Sequence, residues 1–211
     1  MPQEYGRLDL SREIVTSDGG SSREIIMMRP SARTMIDVFN DPRSSAQTAK
    51  LVAACCRAGN GKDELAGLPS FDAAQLDASD AAELMAMIAS ITDEADNISI
   101  GDGDGVSEPL VYDLRYPIEL TRMDNASPEV ISQIQFVARK LGDISEFLDA
   151  KGGAQEFYAF MRAFGTLLGT KLPMSESIIG AMDFLDYLVI KGKIMGKLTS
   201  ARGRWKRTST S

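Results

Sequence analysis

The residues that most often carry chemistry are scarce in this chain, and those present stand in patterns that stop short of a working site. There is no histidine, which removes the usual general base, the usual metal ligand and the usual partner of a serine or cysteine nucleophile. The two cysteines, Cys55 and Cys56, are adjacent. A bridge between neighbours closes a strained ring, and the apolar stretch 51–58 around them reads as a helix holding two small core residues rather than a redox pair. Arg57-Ala58-Gly59-Asn60-Gly61-Lys62 has the outline of a phosphate-binding loop, but that loop requires glycine where Cys56 stands and serine or threonine where Asp63 stands. The segment fits the glycine-rich end of a helix better, and the run from Gly165 to Lys171 fails in the same way. Asp102-Gly103-Asp104-Gly105 opens like a calcium loop, yet Val106 takes the third ligand position and only the shorter Asp113 stands at the twelfth. Carboxylates that could pair as acid and base gather at helix starts and in one glycine-rich stretch, where capping or solvation accounts for them. These patterns yield no catalytic, cofactor-binding or metal-ligating residue, and the chain reads as a binding protein, not an enzyme, with no cofactor.

The elements that would position any site follow from punctuation and periodicity. Segments 12–16 and 23–28 flank the turn residues Ser17-Asp18-Gly19-Gly20-Ser21 and predict a hairpin. Ser31 can cap a helix over 32–39, which Asn40-Asp41-Pro42 breaks; a second helix spans 44–57, and a loop leads to Leu68-Pro69. Asp80 and Glu83 have capping-box spacing before Leu84, Met87, Ile88 and Ile91, which share one helical face. Residues 93–108 interleave six acids with glycines and predict a flexible acidic linker. Short strands at 110–113 and 118–121 come next. Ser127-Pro128-Glu129 then has the form of a helix start, with Val130, Ile134, Val137, Leu141, Ile144 and Leu148 at helical spacing behind it. Gly152-Gly153 ends that helix, another covers 155–168, Leu172-Pro173 follows, and a last helix spans 176–195.

This order suggests a diverged repeat. Ile25, Met27 and Arg29 align with Ile118, Leu120 and Arg122 at an offset of 93, and Leu68-Pro69 aligns with Leu172-Pro173 at 104, so the second copy carries an 11-residue insertion. The expected fold is α+β and mainly helical, with two related units, each a short β-hairpin followed by about three helices. Unit boundaries fall at 1–92 and 110–197, with the linker at 93–109 and a basic flexible tail at 198–211.

Composition fits that size. The 211 residues are 44% hydrophobic and 25% charged, enough for a real core in one domain or two small ones. The N-terminus lacks the basic flank and apolar stretch of a secretory signal, and no apolar run approaches the roughly 20 residues that span a bilayer. A cytoplasmic protein is therefore expected. Of the 23 basic residues seven lie in 191–207, which leaves 16 against 30 acids elsewhere, a net of −14. An acidic body thus ends in a basic tail, and that body opposes nucleic-acid binding.

Four segments together resemble a known family. They are Glu24-Ile25-Ile26-Met27-Met28-Arg29-Pro30-Ser31-Ala32, Leu51-Val52-Ala53-Ala54-Cys55-Cys56, Leu68-Pro69 and Leu76-Asp77-Ala78-Ser79-Asp80-Ala81-Ala82-Glu83-Leu84. Over residues 22–91, about a third of the chain, they resemble the tail assembly chaperones of Mu-like phages. The resemblance implies a protein that covers the apolar stripes of the tape measure protein until tail-tube subunits polymerise, working in the host cytoplasm during assembly. The chain is about twice the usual family length, which implies a fused pair or, as the alternative, a structural tail or baseplate component retained in the virion. Implied partners are the tape measure, tail-tube or baseplate proteins and further copies of the chain itself, with no nucleic acid and no membrane. Met85, Met87, Phe157, Phe160, Met161 and Phe164 are the candidates for an adaptable partner groove, with plain core as the competing reading of each. Arg204, Trp205 and Lys206 in the tail are candidates for docking on an acidic protein.

Overall fold

The computed structural model describes residues 4–39, 44–61, 65–102, 105, 108–120, 128–137, 144–170 and 172–200. The chain divides into two compact units, Met1–Glu94 and Ala95–Ser211.

In the first unit β1 (Glu4–Val15) pairs antiparallel with β2 (Ser21–Met28) around a turn in which Gly19 takes φ 84°. The alternation Leu8-Asp9-Leu10 extends β1 well before the predicted hairpin arm, since both leucines are buried on one face. Helix α1 (Ala32–Phe39) starts at the predicted cap, where Ser31 Oγ accepts from Thr34 N at 3.2 Å. Helix α2 (Ser44–Cys55) stops earlier than expected and runs directly into β3 (Cys56–Ala58), which pairs antiparallel with β2 through Ile25–Ala58, Ile26–Arg57 and Met27–Cys56. A 3₁₀ turn at Ala73–Gln75 leads to α3 (Ala78–Asn97), which buries Leu84, Ile88 and Ile91 as the periodicity predicts. Helix α3 continues through Asp93, Glu94 and Asp96 with Ala95 buried, so the expected linker begins inside a helix.

The second unit overturns the mainly helical expectation. Strand β4 (Leu110–Leu120) joins the two short predicted strands, and β5 (Glu129–Phe136) stands where a helix was predicted. The helical stripe put Val130 in the core, whereas it is 54% exposed and Ile131, Ile134 and Phe136 are buried instead. Three β-branched residues within five positions favour the extended chain over the Ser127-Pro128 start signal. Leu141 and residues 138–143 lie outside the described residues.

After α4 (Ser145–Asp149), α5 (Gly153–Phe164) gives way to β6 (Gly165–Leu167), which pairs antiparallel with β5. A Cβ at Gly165 would lie 2.7 Å from the Met161 carbonyl, so this abrupt helix-to-strand change requires glycine. The predicted final helix is broken into α6 (Glu176–Ala181), α7 (Phe184–Val189), a π-helical turn at Ile190–Met195 and α8 (Gly196–Ser200). Asp183 causes the first break. Its backbone is extended (φ −62°, ψ 147°) and its carboxylate accepts from Leu185 N at 2.8 Å, restarting the helix.

Hairpins followed by three helices therefore do not describe the chain. Each unit contains a three-stranded antiparallel sheet, and 29% of the described residues are strand against 47% helix. The assumed alignment of Ile25, Met27 and Arg29 with Ile118, Leu120 and Arg122 matched β2 to β4, the wrong strand. By position in its sheet β4 answers to β1, and β5 to β2. Both first strands break register at equivalent places, Asp9 to Ile14 and Asp113 to Ile118.

Candidate functional site

Residues that could do chemistry are held in structural bonds. Asp186 of α7 is fully buried. Its Oδ1 accepts from Tyr112 Oη at 2.7 Å and Arg115 N at 3.0 Å, and its Oδ2 accepts from Tyr116 N at 3.2 Å. The two main-chain donors, Arg115 and Tyr116, lie in the register break of β4, so the carboxylate satisfies main-chain groups that β5 does not reach. Burial lifts the Asp186 carboxyl above the ordinary carboxylate range, and the three donated bonds draw it back only in part. Burial, with the neighbouring Asp186 charge, also pushes the Tyr112 phenol up.

The first unit has a counterpart. Asp80 of α3 is buried and accepts from Ser11 Oγ at 2.9 Å and Ser11 N at 3.3 Å, inside the register break of β1. The expected cap at Asp80 is thus a carboxylate bonded to a strand. Sequence reasoning missed Asp186, although an acid inside Phe184-Leu185-Asp186-Tyr187-Leu188-Val189 is the signal of a buried, bonded charge.

The other motifs resolve in the same direction. Cys55 and Cys56 are free and buried at the α2–β3 junction, and burial pushes both thiols up to about 12. Gly59 stands in the supposed phosphate loop because β2 runs close: its N–H donates to Glu24 O at 2.8 Å and its carbonyl accepts from Ser22 Oγ at 2.7 Å. A Cβ there would collide with the Glu24 side chain. Lys62, Asp63, Asp104 and Val106 lie outside the described residues. Among the described residues no group of three or more histidines, cysteines or acids could hold a metal ion, and no helix is long and apolar enough to cross a membrane.

The proposed apolar groove is corrected as well. Phe157, Phe160 and Met161 have no exposed surface and Phe164 is 5% exposed. Phe160 stacks on Phe136 and Phe164 with centroids 5.9 and 5.0 Å apart, and Phe147 meets it edge-on at 5.8 Å. These residues are the core that joins α5 to the sheet, because α5 has to bury one face over β5. On α3, Met85 and Met87 are half-buried, and the Met87 methyl lies where a Cβ on Gly6 of β1 would be. Arg204, Trp205 and Lys206 lie outside the described residues.

Two clefts lined by described residues bear on binding. One, about 420 Å³, lies in the second unit between α4, α5 and Glu176, and Arg162 bridges its carboxylates by pairing with Glu146 and with Glu176 at 2.9 Å. The other, about 330 Å³, lies in the first unit where β2 turns into α1, and it is lined by Met28, Arg29, Ser31, Thr34, Arg57 and Leu68 among others. Among the described residues that line this second cleft there is no aspartate or glutamate. The Arg29 guanidinium lies over the Tyr5 ring, 5.2 Å from its centroid. Arg57 Nη1 donates to the carbonyls of Ala53 at 2.9 Å and Cys56 at 2.7 Å, closing the end of α2. Sequence reasoning placed Arg57 at a helix end and Arg29 where a strand leads into Pro30 and the next helix. Only strand β3, unrecognised in the sequence, sets Arg57 beside Ile26 and so brings the two arginines to one cleft.

Compared with protein-family models, curated proteins and solved structures, the chain matches none.

Proposed function

We propose that this chain is a non-enzymatic assembly protein of the tail-chaperone kind, holding another protein, in the first instance a tape measure, during tail morphogenesis in the host cytoplasm. One observation carries the reading. Arg29, Pro30 and Ser31, from the junction on which the resemblance rests, line an open cleft, while Ala32 behind them is buried. Aliphatic and cationic side chains share that cleft, a mixture suited to a protein surface. The strongly acidic body supports the same reading, because net charge keeps a complex with an apolar partner soluble.

Co-expression with an aggregation-prone helical tape measure protein tests the proposal. The partner is expected in the soluble fraction, co-purifying with this chain, and the chain is expected to be missing from finished particles by mass spectrometry. A partner that precipitates equally with and without the chain refutes the reading.

A further inference from the structure

We propose that residues 98–102 form a strap over the free edge of β4, held closed by Lys193 and Lys197, which keeps that edge from pairing with a second copy of the chain. Every group involved lies in the second unit, and the inference does not depend on the partner assigned above.

The sheet shows which edge needs covering. Strand β4 stands at one end of the order β4-β5-β6. Val137 N–H donates to Phe164 O at 3.1 Å and Leu168 N–H to Gln133 O at 3.2 Å, so odd-numbered residues of this stretch turn their main-chain groups to the β6 side. In an antiparallel ladder the residues between them turn the other way, so Ile134 and Phe136 serve β4. Their partners there are Tyr112 and Leu110. Val111 and Asp113 therefore turn their N–H and C=O groups away from β5, to the free side. Such a row is a template for another strand, and the Val111 side chain is 39% exposed beside it. A second copy brings the identical edge, and two antiparallel edges can pair about a two-fold axis with no further partner.

Three features occupy the free side of β4. Asp186 accepts from Arg115 N and Tyr116 N. Pro117 has no N–H to offer. Gly101 passes the Val111 carbonyl, since a Cβ on it would lie 3.6 Å from that oxygen. The first two are fixed, one by a buried carboxylate and one by covalent structure. The third belongs to the stretch expected to be a flexible linker, and two lysines hold it. Lys193 Nζ donates to the carbonyls of Asp96 at 2.8 Å and Ile98 at 2.6 Å, and Lys197 Nζ to those of Gly101 at 3.1 Å and Asp102 at 3.4 Å. An ammonium carries three donors and no acceptor, which suits a row of carbonyls. The lysines stand four residues apart, in the π-helical turn and in α8, so neighbouring turns grip successive points of the strap. Ile98 is buried at one end, and beyond the other a Cβ on Gly105 would collide with the Leu198 side chain. Residues 99–102 between these anchors are exposed or half-buried, so the lysine bonds are what hold the part that passes Val111.

The test compares the full wild-type chain with Lys193→Met/Lys197→Met, which keeps the aliphatic stems and removes the ammonium groups, and with Lys193→Arg/Lys197→Arg, which keeps the charges. Hydrogen–deuterium exchange, read by mass spectrometry of peptic fragments, follows the N–H groups directly. In the methionine variant, exchange is expected to rise at least about tenfold over residues 98–102, the worth of one charge-assisted bond. It is expected to rise with it over residues 111–113, while residues 131–136 keep wild-type protection. The arginine variant is expected to exchange more like wild type than like the methionine variant. In sedimentation velocity the methionine variant is expected to self-associate more strongly than wild type. Adding Val111→Pro, which removes an N–H from the freed edge, is expected to abolish that added association. Circular-dichroism melts accompany each variant, and Lys197→Met alone, which loses only the bonds at Gly101 and Asp102, decides if the double variant fails to fold.

Unchanged exchange over residues 98–102 in the methionine variant overturns the proposal. So does faster exchange there with residues 111–113 unchanged, because the strap would then not cover β4. Equal self-association of wild type and methionine variant, or added association that Val111→Pro leaves intact, overturns it as well.

Discussion

Asp186 offers the sharpest perturbation, because one buried carboxylate holds a phenol and two strand N–H groups together. Asp186→Ala leaves the buried Tyr112 hydroxyl without this acceptor and removes the bonds to the part-buried Arg115 and Tyr116 N–H groups, at about 1–3 kcal/mol for the buried donor and less for the other two. Against this, it removes a desolvated charge whose burial costs several kcal/mol. The net loss should be about 2–4 kcal/mol, since neither effect is fully additive. Asp186→Asn keeps an acceptor for the bonds that converge on Oδ1, from Tyr112 and Arg115, and sets an amide N–H against Tyr116 N–H; about 1–2 kcal/mol should be lost. The pH dependence has a definite sign. The carboxyl is lifted in the folded state, so the folded chain binds this proton more tightly than the unfolded chain. The associated stability is fully present below the unfolded value near ~3.9 and is lost as pH rises through the folded value. Wild type should therefore exceed Asp186→Asn most at low pH, with the gap narrowing as pH rises. Urea titrations followed by far-ultraviolet circular dichroism at successive pH values measure that gap. A gap that widens with pH, or an Asp186→Ala variant within about 0.5 kcal/mol of wild type, would refute this account of the site.

Two further outcomes follow from the packing. With thiols pushed up to about 12 by burial, Cys55 and Cys56 should resist an aromatic disulfide reagent at pH ~8 and both react once denaturant unfolds the chain, since only the thiolate attacks; labelling of the folded protein at the rate of free cysteine would contradict their placement. Phe160→Ala should cost about 3–5 kcal/mol by opening a cavity beneath Phe136, Phe147 and Phe164, measured by thermal denaturation.

What could be read in the sequence was what depends on near neighbours along the chain. The Ser31 cap and the Leu84–Ile88–Ile91 face of α3 each came through, because capping and helical period are local properties. The failures share a different cause. Strands β3 and β6 are three residues long, follow directly on helices, and exist only because β2 and β5 offer them an edge. No pattern within Cys56–Ala58 or Gly165–Leu167 announces that edge, so each was absorbed into the helix before it. Segment 129–136 fails for the related reason that Val130 and Ile134 satisfy a helical spacing while Ile131, Ile134 and Phe136 are the ones that reach the core. The site inherits these limits. Arg57 has the same sequence neighbours whether it ends a helix or forms a strand, and only the strand sets it beside Ile26 and into the cleft with Arg29. The buried acids teach the converse. Asp80 and Asp186 stand on helices far along the chain from Ser11 and Arg115, yet each is fixed by an interruption in a first strand. A first strand that breaks register leaves main-chain donors unmet, and a carboxylate on a later helix is a sufficient way to meet them. An acid inside an apolar helical run, following a strand with an internal break, is therefore better read as the partner of that break than as a candidate for catalysis.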